Sequence, residues 1–211
     1  MKKVILVTGA SSGIGEETAK HLLREGHLVY VAARRKEKMI PLEELGATAI
    51  KMDLTQEPEM KACVDQILKE QGRIDVLVNN AGYAIYGAVE DITIEDARRQ
   101  FEVNLFGLAR LTQLVLPQMR AQKSGTIINM SSMAGHIYAP FGAWYHATKF
   151  ALEGWSDCLR LELKQFNIDV VIIEPGGIQT EFAEVMLEPM MKRSAHTVYG
   201  DLANRIKSKV I

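Results

Sequence analysis

The sequence predicts a doubly wound α/β domain built on a parallel sheet, and three observations carry that prediction. Short apolar runs alternate along the chain with longer amphipathic stretches. Runs such as Val76-Leu77-Val78 and Val170-Val171-Ile172-Ile173 show no polar alternation, as expected of parallel strands covered on both faces. The first run leads directly into a glycine-rich turn, Thr8-Gly9-Ala10-Ser11-Ser12-Gly13-Ile14-Gly15, and then into a helical pattern. At 211 residues, 47% hydrophobic and 24% charged, the chain fits one domain with a substantial core.

Taken in order, Val4 to Val7 reads as the first strand and Gly13 to Arg24 as a helix. Leu28 to Ala33 is the second strand, Lys36 to Leu45 a short helix and Thr48 to Met52 the third strand. A helix follows from Glu57 to Glu70, with Pro58 tolerated in its first turn, and Ile74 to Val78 is the fourth strand. Thr93 with Asp96 forms a capping pair that opens a long helix reaching Gln118. The strand Thr126 to Met130, the helix from Tyr145 to Gln165 and the strand Ile168 to Ile173 complete the set. Residues 1–182 and the C-terminal segment 183–211 are read as parts of one domain. No internal repeat, low-complexity stretch or linker interrupts the pattern.

Composition excludes several classes. Twenty-five basic against twenty-six acidic side chains leave a net charge of −1, so neither nucleic acid nor an anionic membrane is an expected partner. Cys63 and Cys158 have no partner at metal-ligand spacing and read as buried, reduced thiols of a cytoplasmic protein, and no metal site is expected. Met1-Lys2-Lys3 begins like an export signal, but the apolar run behind it stops after four residues, and no later run is long enough to span a bilayer.

The chemistry concentrates between Ser131 and Lys149. Ser132 closes an apolar strand, and Tyr145 and Lys149 stand four residues apart, on one face of a helix. An ammonium one turn away favours a tyrosine phenolate, which can then exchange a proton with an alcohol or carbonyl oxygen. The Ser132 hydroxyl would hold that oxygen and share its developing charge. In the first turn, glycines let backbone amides approach a pyrophosphate, and the helix start behind them favours negative charge.

These motifs together resemble the classical short-chain dehydrogenase/reductase family, over about residues 3 to 182. The glycine spacing matches its Thr-Gly-x-x-x-Gly-x-Gly pattern, and Asn79-Asn80-Ala81-Gly82 matches its Asn-Asn-Ala-Gly signature. Ser132, Tyr145 and Lys149 match its serine and Tyr-x-x-x-Lys, with the family's gap of thirteen, and Asn104 matches its helix asparagine. Pro175-Gly176 matches its Pro-Gly motif. The resemblance implies a Rossmann-type three-layer α/β/α fold, a nicotinamide cofactor and a carbonyl or alcohol substrate. It implies that Gly9, Ser11, Ser12, Gly13, Ile14 and Gly15 hold the pyrophosphate side, and that Asp53, Leu54, Asn80, Ala81 and Gly82 line the adenosine side. Pro175, Gly176, Ile178 and Thr180 would line the nicotinamide. Tyr145 would act as general acid or base, Lys149 would lower its pKa and bind the nicotinamide ribose, and Asn104 would hold a water of a proton relay.

The end of the second strand, Ala32-Ala33-Arg34-Arg35-Lys36, carries no acid to pair with a ribose 2′-hydroxyl, and three positive charges follow. Arg34 can fork onto a 2′-phosphate, with Arg35 or Lys36 beside it, so NADP(H) is the expected cofactor. His136 and His146 read as pocket-wall or surface residues, Trp144 and Trp155 as packing, and Phe101, Leu105 and Phe106 as core or helix interface. In the family, the helices around Asn104 and Tyr145 often pair with a second copy, which makes a homodimer or homotetramer the expected assembly. The Met-rich stretch Val185 to Met191 lies where the family carries a mobile lid, and its side chains suit an apolar, lipid-like or steroid-like substrate.

One departure stands out. After Ile173 no seventh strand follows, and Tyr199 to Ile211 reads as a polar helix. The two expectations are a truncated form of a longer chain, or a sixth strand left as the sheet's edge and covered some other way, for example by a partner subunit. The expected function is an NADP(H)-dependent oxidoreductase acting on a ketone, aldehyde or secondary alcohol. The alternatives are a non-catalytic dinucleotide-binding sensor or scaffold, and an epimerase or dehydratase of the same fold.

Overall fold

The computed structural model describes residues 1–177 and 182–210; the candidate positions Ile178 and Thr180 lie outside them. The elements run β1 (Val4–Thr8), α1 (Gly13–Arg24), β2 (Leu28–Ala33), a 3-10 turn into α2 (Ile40–Glu44), β3 (Thr48–Lys51), α3 (Glu57–Gln71) and β4 (Val76–Asn79). Then come α4 (Ile94–Phe101), a π-helical turn (Glu102–Gly107), α5 (Leu108–Gln122), β5 (Gly125–Met130), α6 (Ala143–Leu163), β6 (Ile168–Ile173), α7 (Phe182–Ser194) and α8 (Gly200–Val210). No helix among the described residues is long and apolar enough to cross a membrane.

Every strand pairs parallel to its neighbours, in the order β3-β2-β1-β4-β5-β6. The chain winds outward from β1 in one direction and then from β4 in the other, so a crevice opens beyond the carboxyl ends of β1 and β4. Alternate strand residues feed two cores. Leu6, Leu77, Ile127 and Val170 meet Ile67 of α3, Leu111 and Val115 of α5 and Leu159 of α6. Ile5, Val7, Val31 and Val78 meet Ala19 of α1 and Leu42 of α2.

The second face is covered unevenly. The helices α1 and α2 lie over β1 to β4, and Val171 and Ile173 of β6 are each 41% exposed. The unbroken apolar run Val170 to Ile173 therefore does not mean burial on both sides here. Within the described residues, β6 is an edge strand with one dry face.

Local chemistry explains the helix ends. Thr93 Oγ1 accepts the amide of Asp96 at 3.1 Å, the expected cap, and Gly72 closes α3 in the left-handed region at φ +68°. The region expected as one helix from Thr93 to Gln118 is interrupted by the π turn and runs on to Gln122, past Pro117. Of the two cysteines, Cys63 is buried and its thiol is pushed up to about 12 by burial, whereas Cys158 is exposed on the outer side of α6.

The C-terminal helices fold back over the loops that follow β4 and β5. Met190 of α7 and Ala203 of α8 pack with Ala88 and Phe141. The Ser194 hydroxyl accepts the amide of Ala88 at 2.9 Å, and Arg193 reaches the Tyr86 carbonyl at 3.3 Å. The Met-rich stretch is thus a helix whose far end is tied to the β4 loop.

Candidate active site

The glycine turn is built by close approach. Gly9 sits at φ +68°, and a Cβ there would stand 2.7 Å from the Ala81 backbone. A Cβ on Gly15 would stand 2.6 Å from the Gly9 carbonyl and collide with the Asn80 amide. Only glycine fits either place. Ser12, extended at the start of α1, puts no side-chain cap on the first-turn amides, so they remain for an anion. Beside them Arg34 and Arg35 are exposed, and Arg35 Nη2 donates to Ser11 Oγ at 3.4 Å.

Thr8 and Asn80 hold this turn against β4. The Thr8 hydroxyl accepts the amides of Asn80 and Ala81 at 3.1 and 3.0 Å, and Asn80 Nδ2 donates to the Thr8 carbonyl at 2.9 Å. Asp53 folds into a local turn, where Oδ1 accepts the amide and hydroxyl of Thr55, both at 2.9 Å. Leu54 is buried in the core, and Gly107 lets the helix press against its carbonyl. The residues brought together here suit the pyrophosphate and adenosine of a dinucleotide.

On the other side of the crevice, Ser132 leads from β5 into a 3-10 turn, and its hydroxyl accepts the Ala134 amide at 3.1 Å. Tyr145, 7% exposed, is hydrogen-bonded to Ser132. Lys149, also 7% exposed, donates from Nζ to the Met130 carbonyl at 2.7 Å and lies 5.8 Å from the centre of the Tyr145 ring. The three expected catalytic side chains thus converge.

Their electrostatics differ from the sequence expectation. Burial pushes the Tyr145 phenol above its ordinary value, and the hydrogen bond from Ser132 pulls it part of the way back. Burial also lowers Lys149 to about 8, with the Glu153 carboxylate opposing the fall. An ammonium one turn away was expected to make the tyrosine more acidic. In this structure burial is the larger influence on the phenol, and what opposes it is the Ser132 hydrogen bond.

Asn104 sits in the π turn, deeply buried. Its side chain brackets Tyr83, accepting the amide at 3.1 Å and donating to the carbonyl at 2.9 Å, and it also donates to Thr148 Oγ1 at 3.2 Å. Thr148 in turn donates to the Tyr145 carbonyl at 2.8 Å. Asn104 therefore ties the β4 loop to the Tyr145 helix through its amide. The π turn also breaks the regular i→i+4 ladder beside it, a feature that short π segments bring to functional sites. The Pro175 carbonyl accepts the Met133 amide at 3.1 Å, which sets Pro175 and Gly176 beside the Ser132 turn.

Several contributors escaped the sequence reading. An amide chain crosses the sheet: Asn79 Nδ2 donates to Thr112 Oγ1 at 3.1 Å and to Asn129 Oδ1 at 2.9 Å, and Asn129 Nδ2 donates to Ser156 Oγ at 2.8 Å. The available signal was a polar residue, Asn129, inside the apolar run Thr126 to Met130. Tyr86 faces Tyr145 at 6.0 Å between ring centres, and burial pushes its own phenol up to about 12. His146 is a buried clamp for the Ser132 loop, with Nδ1 on the carbonyls of Ala134 at 3.0 Å and Ile137 at 2.7 Å. Trp144 packs near Ile85, Ile92 and Ala97 and Trp155 against the main core, as expected, while Phe106 is exposed.

Comparison with known proteins agrees with this geometry. A family model described as short chain dehydrogenase matches residues 3–190. A 3-ketodihydrosphingosine reductase of Bacteroides thetaiotaomicron is 42% identical over 183 residues, 86% of this chain and 66% of that protein, so the chain spans just under two thirds of its length. The structure of a short-chain dehydrogenase from Streptomyces avermitilis matches with a TM-score of 0.83 and 42% identity, over 85% of this chain and 67% of its own. A 3-ketoacyl-(acyl-carrier-protein) reductase from Brucella melitensis, complexed with NADH, matches with a TM-score of 0.84 and 31% identity, over 87% and 79%. With the parallel sheet, the glycine turn and the Ser132, Tyr145 and Lys149 set in place, the chain belongs to the short-chain dehydrogenase family.

Proposed function

We propose that the chain is an NADP(H)-dependent oxidoreductase that interconverts a ketone or aldehyde and the corresponding secondary or primary alcohol. One observation carries the reading: the linked hydroxyls of Ser132 and Tyr145 stand beside buried Lys149, across the crevice from a turn shaped for a dinucleotide. The cofactor supplies or accepts the hydride at the substrate carbon. Tyr145 supplies the matching proton to the carbonyl oxygen in reduction and removes it in oxidation. Ser132 holds that oxygen. Lys149 holds the ribose and refills the proton, through a water kept by the turn around Asn104.

Preference for NADP(H) rests on Arg34 and Arg35, exposed at the end of β2 where no acid stands to meet a ribose 2′-hydroxyl. An apolar ketone suits the surroundings of Tyr145, where Ala84, Ala134 and Tyr86 pack and the α7 and α8 cluster closes behind. Two of the relatives are named for 3-keto compounds, which supports a ketone as substrate. A homodimer or homotetramer would use the apolar groove of Ile94, Phe101, Phe106 and Trp144, with exposed Phe150 beside it on α6. Two free cysteines accord with a reducing, cytoplasmic setting.

The test is a fluorescence titration with NADPH and with NADH, for the wild type and Arg34→Ala. NADPH is expected to bind more tightly, and the variant to lose about tenfold or more for NADPH alone, the worth of one charge-assisted contact. Equal affinity for both cofactors, or equal losses in the variant, would overturn the NADP(H) assignment. Failure of both to bind would remove the oxidoreductase reading itself.

A further inference from the structure

A second group of side chains lies outside the proton-transfer set. His136 follows the Ser132 turn, Glu153 lies one helical turn beyond Lys149 on α6, and Glu174 directly follows β6. His136 Nε2 is 3.1 Å from Glu174 Oε2 and 3.9 Å from Glu153 Oε1. One donor atom from each of the three lies within 4.8 Å of the others.

Two orphaned groups face the same space. Glu153 Oε1 is sealed from solvent and has no hydrogen-bond partner. Ser131 Oγ is equally sealed and unpartnered, on a residue only 4% exposed. A Cβ on Gly135 would stand 3.0 Å from Glu153 Oε1 and 3.3 Å from Ser131 Oγ, so both orphaned atoms press close around this glycine and lie near each other. Buried polar atoms are almost always satisfied, and two orphans beside a histidine and a second carboxylate call for a common partner.

We propose that His136, Glu153 and Glu174 form a binding site for a single divalent transition-metal ion, with Zn²⁺ as the best match. The three donor atoms lie within 4.8 Å of one another, somewhat wider than zinc bonds of about 2.0–2.2 Å would hold them. His136 and Glu174 are exposed and free to close that difference. One imidazole with two carboxylates suits zinc better than calcium, which takes oxygen ligands, or magnesium, which keeps its waters. The fourth position would hold a water, placed to reach Ser131 Oγ. Such an ion would tie together the segments that carry Ser132, Lys149 and Pro175, and this assignment stands apart from the proposed hydride chemistry.

The experiment is calorimetric titration of chelator-treated protein with Zn²⁺, in a Cys158→Ser background that removes the exposed thiol. Expected is one ion per chain with a dissociation constant of micromolar or below. His136→Ala and Glu174→Gln, both surface changes, should each weaken binding by at least tenfold, while His196→Ala, at an exposed histidine elsewhere, should not. Circular dichroism confirms that each variant is folded. Absence of stoichiometric binding, or binding of equal strength in folded His136→Ala and Glu174→Gln, would overturn the site.

Discussion

The two halves of the sheet hold their parts of the crevice by different means. At β1 to β3 the site is made of backbone: glycines at Gly9 and Gly15 permit contacts no side chain would allow, and the charged groups, Arg34 and Arg35, lie in solvent. At β4 to β6 it is made largely of buried side chains, several of them bonded to one another across distant elements. Asn79 pairs with Asn129, Asn129 with Ser156, and Asn104 with Thr148. The first half can lose a surface charge and keep its shape. In the second half, removal of any one group leaves another stranded without water, so chemistry and stability are coupled there.

The largest break in that contrast comes from Tyr145→Phe. The ring stays, the packing against Tyr86 and Ala134 stays, and only the proton-bearing oxygen goes. The rate of NADPH oxidation by an apolar ketone is expected to fall about 1,000-fold, within the usual worth of a positioned general acid. Cofactor affinity, which depends mostly on the other half, should barely change. A variant that keeps its biological role without turnover would instead point to the sensor alternative.

Ser132→Ala comes next, with a loss of about 100-fold in kcat, typical of one group holding a developing oxyanion. Its pH profile is the sharper reading. Burial raises Tyr145 and the Ser132 hydrogen bond lowers it, so without that hydroxyl the phenol should titrate at higher pH than in the wild type. Alcohol oxidation needs the phenolate, and its rising limb should therefore move to higher pH. A limb that stays in place or moves to lower pH would mean that another group governs the profile.

Much of this was legible in the sequence, and the boundary is physical. The alternation of strands and helices, the glycine turn and the Tyr145 and Lys149 pair are patterns local in sequence, where period and spacing report directly. The sign of the Tyr145 shift did not follow from spacing, because it depends on how much water the folded chain excludes from both groups. The roles of Asn129 and His146 depend on partners brought in by strand pairing and loop packing. Nor could the apolar run of β6 show that its second face stays open, since the helices that would cover it are set by topology.

The amide chain itself offers the third break. Asn129 is fully buried, and Asn129→Ala removes the acceptor of Asn79 and the donor to Ser156 together. Urea unfolding should show a loss of about 2 kcal/mol, the scale for leaving buried polar groups unsatisfied. A loss below about 0.5 kcal/mol would mean that Thr112, which also bonds Asn79, carries the bracing alone.

The smallest effect tests the cofactor half. Gly13, like Gly9, lies in the left-handed region, at φ +59°, but a Cβ on it would meet nothing within 4 Å. Gly13→Ala therefore isolates the cost of the backbone conformation, about 1–2 kcal/mol, from any clash. Gly9→Ala would add to that cost a collision with the backbone of Ala81. Thermal unfolding with and without NADPH separates the two contributions. If the turn is a preformed cradle, Gly13→Ala should lower the melting temperature by a similar amount in both conditions, because the amides keep their places. A much larger drop with NADPH present would show that the added methyl meets the cofactor itself, and that this half too relies on side-chain space.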